Sequence, residues 1–345
     1  MDPETKFDRF KSVKRNIVSL SQEGLVKVEY LDSDRQFPPA IVPNVEGIDA
    51  AAWAENNRNF LTRMLLKHGV LLFRGFKVKS ATEFNQFITG ASEPAIAYNE
   101  RSSPRTGVVD NIYTSTDYPS HLRIFMHNEQ SYNLNFPSKI FFHCYKPAVK
   151  GGETPIADTR RIFLRIPAEI RERFIPHGYM YVRNFSERMG LPWQEVFQTT
   201  DKALVEQYCR KNAIEYEWRG KDRLRTRQIR RAVGIHPKTK EMVWFNHLTF
   251  FHITTLELDA RKVILERYDE EDYPNNTYYS DNSPVEPEVM DQLRKAYEDE
   301  IMKFTWREGD ILMLDNIMTS HGRMPYEGPR KVLVGMTELC NWSQL

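Results

Sequence analysis

Apolar residues in this chain fall in short blocks bounded by glycine, proline, asparagine or charged residues, and the spacing within each block predicts its element. Residues 1–45 are mixed, and Pro38, Pro39 and Pro43 mark an extended entry segment. Over 49–68 the apolar positions Trp53, Phe60, Met64 and Leu65 follow a helical period that Gly69 ends. "VLLFRGF" at 70–76 reads as a buried strand, and a short helix follows over 81–88. "LRIFMH" (122–127) and "KIFFHCY" (139–145) are strands separated by a loop holding Asn133, Asn135 and Pro137. "GGET" (151–154) is a turn into "PIAD" (155–158). Helical spacing returns at 159–174 and 200–212, with weaker strands at 178–185, 214–218 and 242–246. "SPVE" (283–286) has the form of a capping box, Ser283 at the N-cap and Glu286 three residues on, opening a helix to about Glu300. "KFTW" (303–306), "ILMLD" (311–315) and "KVLVGM" (331–336) close the chain as strands, with "REGD" (307–310) as a turn.

So many short strands, interrupted by helices, predict a mainly β chain with helices (α+β): an antiparallel jelly roll with helical decoration. No G-x-G-x-x-G follows the first strand, and strands and helices do not alternate regularly, so a doubly wound fold fits poorly. No linker divides the 345 residues, which predicts one domain over 1–345, with 155–300 as a long insertion within it.

Composition narrows the function classes. Apolar content of 41% and charged content of 28% are ordinary for a globular protein, and the net charge of +1 gives no field to draw in nucleic acid or membrane. The three cysteines are scattered without a C-x-x-C pair, which points to a reducing cytoplasm and against a disulfide framework. The N-terminus lacks the apolar stretch of a signal peptide, and no window is long and apolar enough to span a bilayer.

Chemistry enters at "IFMHNEQSY", where an apolar run meets His127 and Glu129. In an extended chain residues i and i+2 share a face, so the two side chains can meet one ion while Asn128 turns the other way. His321 follows the apolar strand 311–314, and Arg330 opens the last one. Taken singly, these residues also fit a solvated strand end, a loop histidine and a surface ion pair. Together, two histidines and a carboxylate match the facial triad of non-haem Fe(II) oxygenases. Such a site leaves room for a 2-oxo acid, whose far carboxylate calls for an arginine fork and a hydroxyl donor. Arg330 and Thr154, the latter preceded by two glycines, supply them. Asp315 and Asn316 stand just before His321, either to orient it or to cap the strand.

In order along 70–336, "VLLFRGF", "HNEQSY", "SKIFFHCYKPAVKGGETPIADTRRI", "HPKTKEMVWFN" and "GDILMLDNIMTSHGRMPYEGPRKVLVGM" resemble the TauD/TfdA family of Fe(II)- and 2-oxoglutarate-dependent dioxygenases. The resemblance extends to the natural-product tailoring group, some of it antibiotic biosynthesis, that includes the syringomycin aspartyl hydroxylase. It implies a double-stranded β-helix, Fe(II), 2-oxoglutarate and O2 as cofactor and co-substrates, and His127, Glu129 and His321 as metal ligands. It implies Thr154 and Arg330 as 2-oxoglutarate contacts. Relatives often carry a second arginine four positions later, which here is Val334, so Lys331 and Arg323 stand as substitutes for Arg330. Halogenating relatives lack the carboxylate ligand. Its retention as Glu129 favours hydroxylation, epoxidation or desaturation, with 155–300 as the lid.

The resemblance also implies an amino-acid-like or acyl substrate, free or tethered to an acidic carrier protein. "RLRTRQIRR" offers Arg223, Arg225, Arg227, Arg230 and Arg231 either as a docking patch for such a carrier or as a solvated strand face. His247 with Asn246, and Gln130, Ser131 and Tyr132 beside the H-x-E pair, either line a pocket or pack the core; His143 reads as a packed or edge residue, and His121 and His252 as ordinary histidines. The competing functions are a non-redox metal-binding jelly roll, a degenerate oxygenase that only binds ligand, and an oxygenase acting on nucleic acid. One basic cluster in a near-neutral chain weighs against the last.

Overall fold

The computed structural model describes residues 22–97, 106–115, 118–186 and 191–345. A hairpin, β1 (Val26–Asp32) and β2 (Phe37–Pro43), leads through α1 (Ala50–Asn56) and α2 (Arg58–His68) into β3 (Val70–Phe73) and α3 (Ala81–Ala91). Six strands follow: β4 (Gly107–Val109), β5 (Ile112–Thr114), β6 (Ile124–His127), β7 (Asn135–Lys146), β8 (Lys150–Gly151) and β9 (Ile156–Asp158). Next come α4 (Thr159–Arg165), α5 (Ala168–Phe174), β10 (Tyr179–Phe185), α6 (Trp193–Phe197) and α7 (Lys202–Lys211). The middle continues with β11 (Glu215–Arg219), β12 (Arg223–Arg230), β13 (Val233–Ile235), β14 (Met242–Trp244), α8 (Leu248–Phe251), α9 (Leu258–Arg267), β15 (Asn275–Tyr279) and α10 (Pro287–Glu298). β16 (Ile311–Asp315), β17 (Thr319–Arg323), β18 (Tyr326–Glu327) and β19 (Lys331–Asn341) complete it.

The main sheet runs β1-β2-β3-β16-β7-β19-β5-β4, antiparallel throughout except for the β2–β3 pair. Its centre is apolar on both faces. Phe73, Phe141, Met313 and Leu333 face α1 to α3, and Leu72, Phe142, Leu314 and Val334 face the opposite way. A three-stranded sheet, β6-β17-β9, carries the H-x-E strand, and a four-stranded sheet, β11-β12-β10-β15, forms within the middle segment. The architecture is therefore strand-rich α+β, as the pattern predicts.

Several boundaries depart from the pattern for local reasons. The helix expected over 49–68 breaks at Asn57, whose side-chain amide donates to the Trp53 carbonyl at 2.7 Å and competes with the helical bond there. The one over 159–174 breaks before Pro167, which disfavours helix at Ile166. The Ser283 capping box does not form. The Ser283 hydroxyl bonds Asp281 at 2.6 Å, Pro284 bridges back to Tyr278, and the helix starts at Pro287, a residue suited to a first turn. Residues 303–306 are not a strand. Met302 makes a single bridge to Ile156, and Phe304 and Trp306 then turn into the core. The strand from Val70 stops at Phe73, ahead of Gly75 at φ 89. His321, expected beyond a strand, lies inside β17.

The arginine run is also rearranged. Alternation along β12 turns Arg230 inward with Leu224, Thr226 and Gln228, where its guanidinium donates to the carbonyls of Tyr132 (2.8 Å), Asn212 (2.8 Å) and Ala213 (3.3 Å). Arg225 is buried and 3.6 Å from Glu271. Arg223 and Arg231 are exposed and Arg227 half-buried, so the five arginines do not form one charged face.

Candidate metal centre and co-substrate cavity

β17 lies between β6 and β9, with His321 directly opposite His127 on one side and Ile156 on the other. The two imidazole centroids are 4.5 Å apart. This closeness depends on Gly322. A β-carbon there would lie 2.6 Å from the Ile124 carbonyl oxygen, so no larger residue lets the strands meet beside His321. β6 ends at His127, and the chain turns through Glu129 and Gln130, the latter at φ 55. Glu129 therefore reaches the site from a turn, where simple strand alternation would have placed it on the strand itself. Among the described residues, one group of three metal-binding side chains comes close enough to hold a single ion. Its members are His127, Glu129 and His321, with ligand atoms all within 4.8 Å of one another. Glu129 and His321 are buried and His127 is half-buried.

The donor chemistry fits a metal. His127 Nδ1 lies 2.9 Å from the Phe125 carbonyl oxygen, which only accepts, so the proton sits on Nδ1 and the lone pair on Nε2. That is the usual way a backbone carbonyl fixes the tautomer of a ligating histidine. Two imidazoles and a carboxylate suit Fe(II) in the 2-His-1-carboxylate arrangement. Asp315 and Asn316 do different work. Asp315 accepts from the Ile317 and Met318 amides at 3.0 and 3.1 Å and pairs with His236 at 3.1 Å, so it caps the turn. Asn316 bonds the backbone of Glu129, accepting from its amide at 2.8 Å and donating to its carbonyl at 2.9 Å. Asn128 sends its amide to the Asn316 carbonyl at 2.6 Å.

Beside this cluster is a small cavity lined by Ser115, His127, Thr154, His321, Arg323 and Arg330, with Phe142 and Val332 as its apolar wall. Arg330 enters along its alkyl stem. Its Nε donates to the Gly152 carbonyl at 2.9 Å, and its Nη1 lies 3.4 Å from the Ser115 hydroxyl. Gly152 sits at φ +72, which disfavours any other residue, and a β-carbon there would lie 3.0 Å from the Arg330 side chain, so glycine suits the close approach of Arg330 to this turn. Burial first, then the neighbouring Arg323, pulls the Arg330 pKa down to about 10. The cation persists at neutral pH, and its burial leaves it poised to pair with an anionic ligand. The Thr154 hydroxyl oxygen already accepts from the Trp306 indole at 3.1 Å, which directs its own proton elsewhere.

The two substitutes for Arg330 are engaged differently. Arg323 spends its guanidinium on the carbonyls of Tyr118, Pro119 and Leu122 at 2.9, 2.6 and 2.9 Å. Lys331 is exposed, over the Tyr145 ring at 4.7 Å. Trp306 and Ser115 carried no sequence signal, since one stood in a segment read as strand and the other in none. Around His127 the aromatic wall continues with Phe250 at 4.7 Å and His247 at 5.5 Å between ring centroids. His247 is buried, its Nδ1 2.6 Å from the Ser131 hydroxyl, and burial and then His127 hold its pKa well below the ordinary value. His143 is fully buried, stacked on Phe84 and bonded to the Val78 carbonyl at 3.1 Å, a packed residue far from any ligand role. A larger cavity of 610 Å³, lined by Arg219, Arg223 and Asp272 beside β10 and β12, contains none of His127, Glu129 and His321.

A sequence profile for "Taurine catabolism dioxygenase TauD, TfdA family" matches residues 33–337. The chain belongs to the TauD/TfdA family. This TauD/TfdA chain is 40% identical over 278 residues to the dapdiamide synthesis protein DdaC of Enterobacter agglomerans, covering 81% of the chain and 84% of DdaC. It is 28% identical over 327 residues to a clavaminate synthase-like protein of Arabidopsis thaliana, covering 88% and 94%. Its fold is similar to that of PvcB from Pseudomonas aeruginosa, with a TM-score of 0.53 at 14% identity over 92% of this chain and 93% of PvcB. Another PvcB structure, of "an Fe, alpha-ketoglutarate dependent oxygenase from an isonitrile synthetic pathway", gives 0.51 at 14% identity over 90% of each chain. As a TauD/TfdA member the protein is an Fe(II)- and 2-oxoglutarate-dependent dioxygenase, with Fe(II), 2-oxoglutarate and O2 as its cofactor and co-substrates. No described helix is long and apolar enough to cross a membrane.

Proposed function

We propose that this dioxygenase hydroxylates an amino acid or a related acyl group in natural-product biosynthesis, with His127, Glu129 and His321 as the Fe(II) ligands. The observation that carries the reading is the convergence of those three ligand atoms within 4.8 Å, beside a cavity that also holds Arg330 and Thr154. The double-stranded β-helix is the fold this reading assigns, on the strength of the antiparallel sheets and the likeness to PvcB. Bound Fe(II) supplies the O2 activation that couples oxidative decarboxylation of 2-oxoglutarate, to succinate and CO2, with oxidation of a substrate C–H bond. The protein's part is placement and exclusion of water. Arg330 holds the far carboxylate of 2-oxoglutarate as a charge-assisted fork, and Thr154, its oxygen already engaged by Trp306, donates its proton to the same group. Phe142 and Val332 keep that end dry.

The chain forms one domain in this reading; of the segment 155–300, β9 belongs to the sheet that holds His321, and the part beyond it closes over the metal as a lid. The packing of Tyr181 on Phe251 at 4.2 Å, with Phe251 next to His247, supports that role. A reducing cytoplasm suits the three free, buried cysteines. The name of DdaC, a dapdiamide synthesis protein, supports a place in natural-product biosynthesis. Succinate release from 2-oxoglutarate tests the proposed reaction. A panel of free and carrier-tethered amino acids is expected to contain one that raises the rate at least about tenfold. Folded, Fe(II)-loaded protein that releases no succinate with any of them would overturn the proposal. Free and tethered routes separate on Arg223, Arg227 and Arg231. Changing all three to Glu is expected to slow turnover of a substrate on an acidic carrier, most at low salt, and to leave a free amino acid unaffected.

A further inference from the structure

We infer that Asn316 is the positioning residue for Glu129, fixing the backbone from which the carboxylate reaches the metal. The inference rests on Glu129 being a ligand, as proposed above. Glu129 stands in a turn after β6 has ended, so no ladder of strand bonds sets its orientation. Asn316 replaces that ladder. Its Oδ1 accepts from the Glu129 amide at 2.8 Å, and its Nδ2 donates to the Glu129 carbonyl at 2.9 Å and to the Pro137 carbonyl at 2.8 Å. Its own amide donates to the Ser138 carbonyl at 2.8 Å, and its carbonyl accepts from the Asn128 side chain at 2.6 Å.

Every polar group of Asn316, side chain and backbone, is thus committed to the segment 128–138. The residue is fully buried. The pair of bonds to Glu129 copies what a neighbouring strand would give, one donor and one acceptor exchanged with a single residue. Asn316 also occupies the turn between β16 and β17, whose second strand carries His321. One side chain therefore ties the turn bearing the carboxylate ligand to the strand bearing a histidine ligand. An apolar residue would leave the Glu129 amide and carbonyl without these partners in a buried place. An aspartate keeps the acceptor but sets a carboxylate oxygen against two carbonyls, so it breaks half of the clamp at nearly constant volume.

The test is a double-variant cycle read by Co(II) binding, through the visible ligand-field bands, with no turnover involved. Asn316→Asp is expected to weaken Co(II) binding about ten- to a hundredfold in the parent protein, the range found for groups that orient ligands. In a Glu129→Ala background the same change is expected to alter it less than about threefold, because the ligand it positions is gone. An equal loss in both backgrounds overturns the positioning role alone. No loss on Glu129→Ala itself overturns the ligand assignment, and the positioning role with it. Asn316→Ala runs the same cycle should the aspartate variant fail to fold. Thr159→Val is the structural control. The Thr159 hydroxyl donates to the Ile317 carbonyl of the same turn at 2.8 Å, and its loss is expected to lower the melting temperature without moving Co(II) affinity.

Discussion

Glu129→Ala and His127→Ala abolish the visible charge-transfer band that Fe(II) and 2-oxoglutarate give together under anaerobic conditions, and both fall below about a hundredth of the parent turnover. The expectation follows from the geometry. The proposed facial site draws on three side chains whose ligand atoms sit within 4.8 Å of one another, so removing one leaves too few fixed donors to hold a metal in place. Removal of groups that only orient ligands already costs 10- to 100-fold, and a direct ligand costs more. Of the two, His127→Ala is expected to be the more damaging to folding as well, because its ring packs against His321, His247 and Phe250. Circular dichroism separates that loss from metal loss. A band of undiminished intensity in folded Glu129→Ala protein contradicts the assignment.

Arg330→Leu raises the KM for 2-oxoglutarate about ten- to a hundredfold and changes kcat much less. A hydrogen bond to a charged group contributes about 1.5–3 kcal/mol, which converts to that range. In the proposed role the guanidinium holds the end of the co-substrate remote from the reacting carbon, so its loss removes binding common to ground and transition states. Arg330→Lys restores part of the affinity, since a point charge remains but the planar fork is gone. Lys331→Ala, at an exposed position, is expected to leave KM unchanged. An unchanged KM in Arg330→Leu with a raised one in Lys331→Ala would move the assignment to the neighbour.

Part of this site was legible in the sequence because His127 ends β6 and Arg330 stands directly before β19. The apolar runs ahead of His127 and His321 announced β6 and β16, and "GGET" announced a turn that presents Thr154. Two things were not legible. Partners far apart in sequence, such as Trp306 on Thr154 or Asn316 on Glu129, depend on which strands become neighbours, and strand spacing alone does not give sheet order. Surface and interior could not be told apart in the arginine run either. Arg230 shares the inward face of β12 with Leu224, Thr226 and Gln228, and its charge, which reads as exposed, is met there by backbone carbonyls gathered from Tyr132, Asn212 and Ala213. At Ser283 the local cap signal was correct in form and lost to Pro287, which offered the helix a better first residue.

With His127 and His321 as the proposed ligands, their direct opposition across β6 and β17 makes metal affinity a gauge of strand alignment. A slip of one residue would turn one imidazole to the other face of the small sheet and leave the ion with a lone histidine. Whatever binds both imidazoles therefore selects one pairing among the few that two short strands allow. By mass action it also favours the folded chain, and more so as free metal exceeds its dissociation constant. With the metal removed, the three-stranded sheet β6-β17-β9 would then be held by its own short ladders alone.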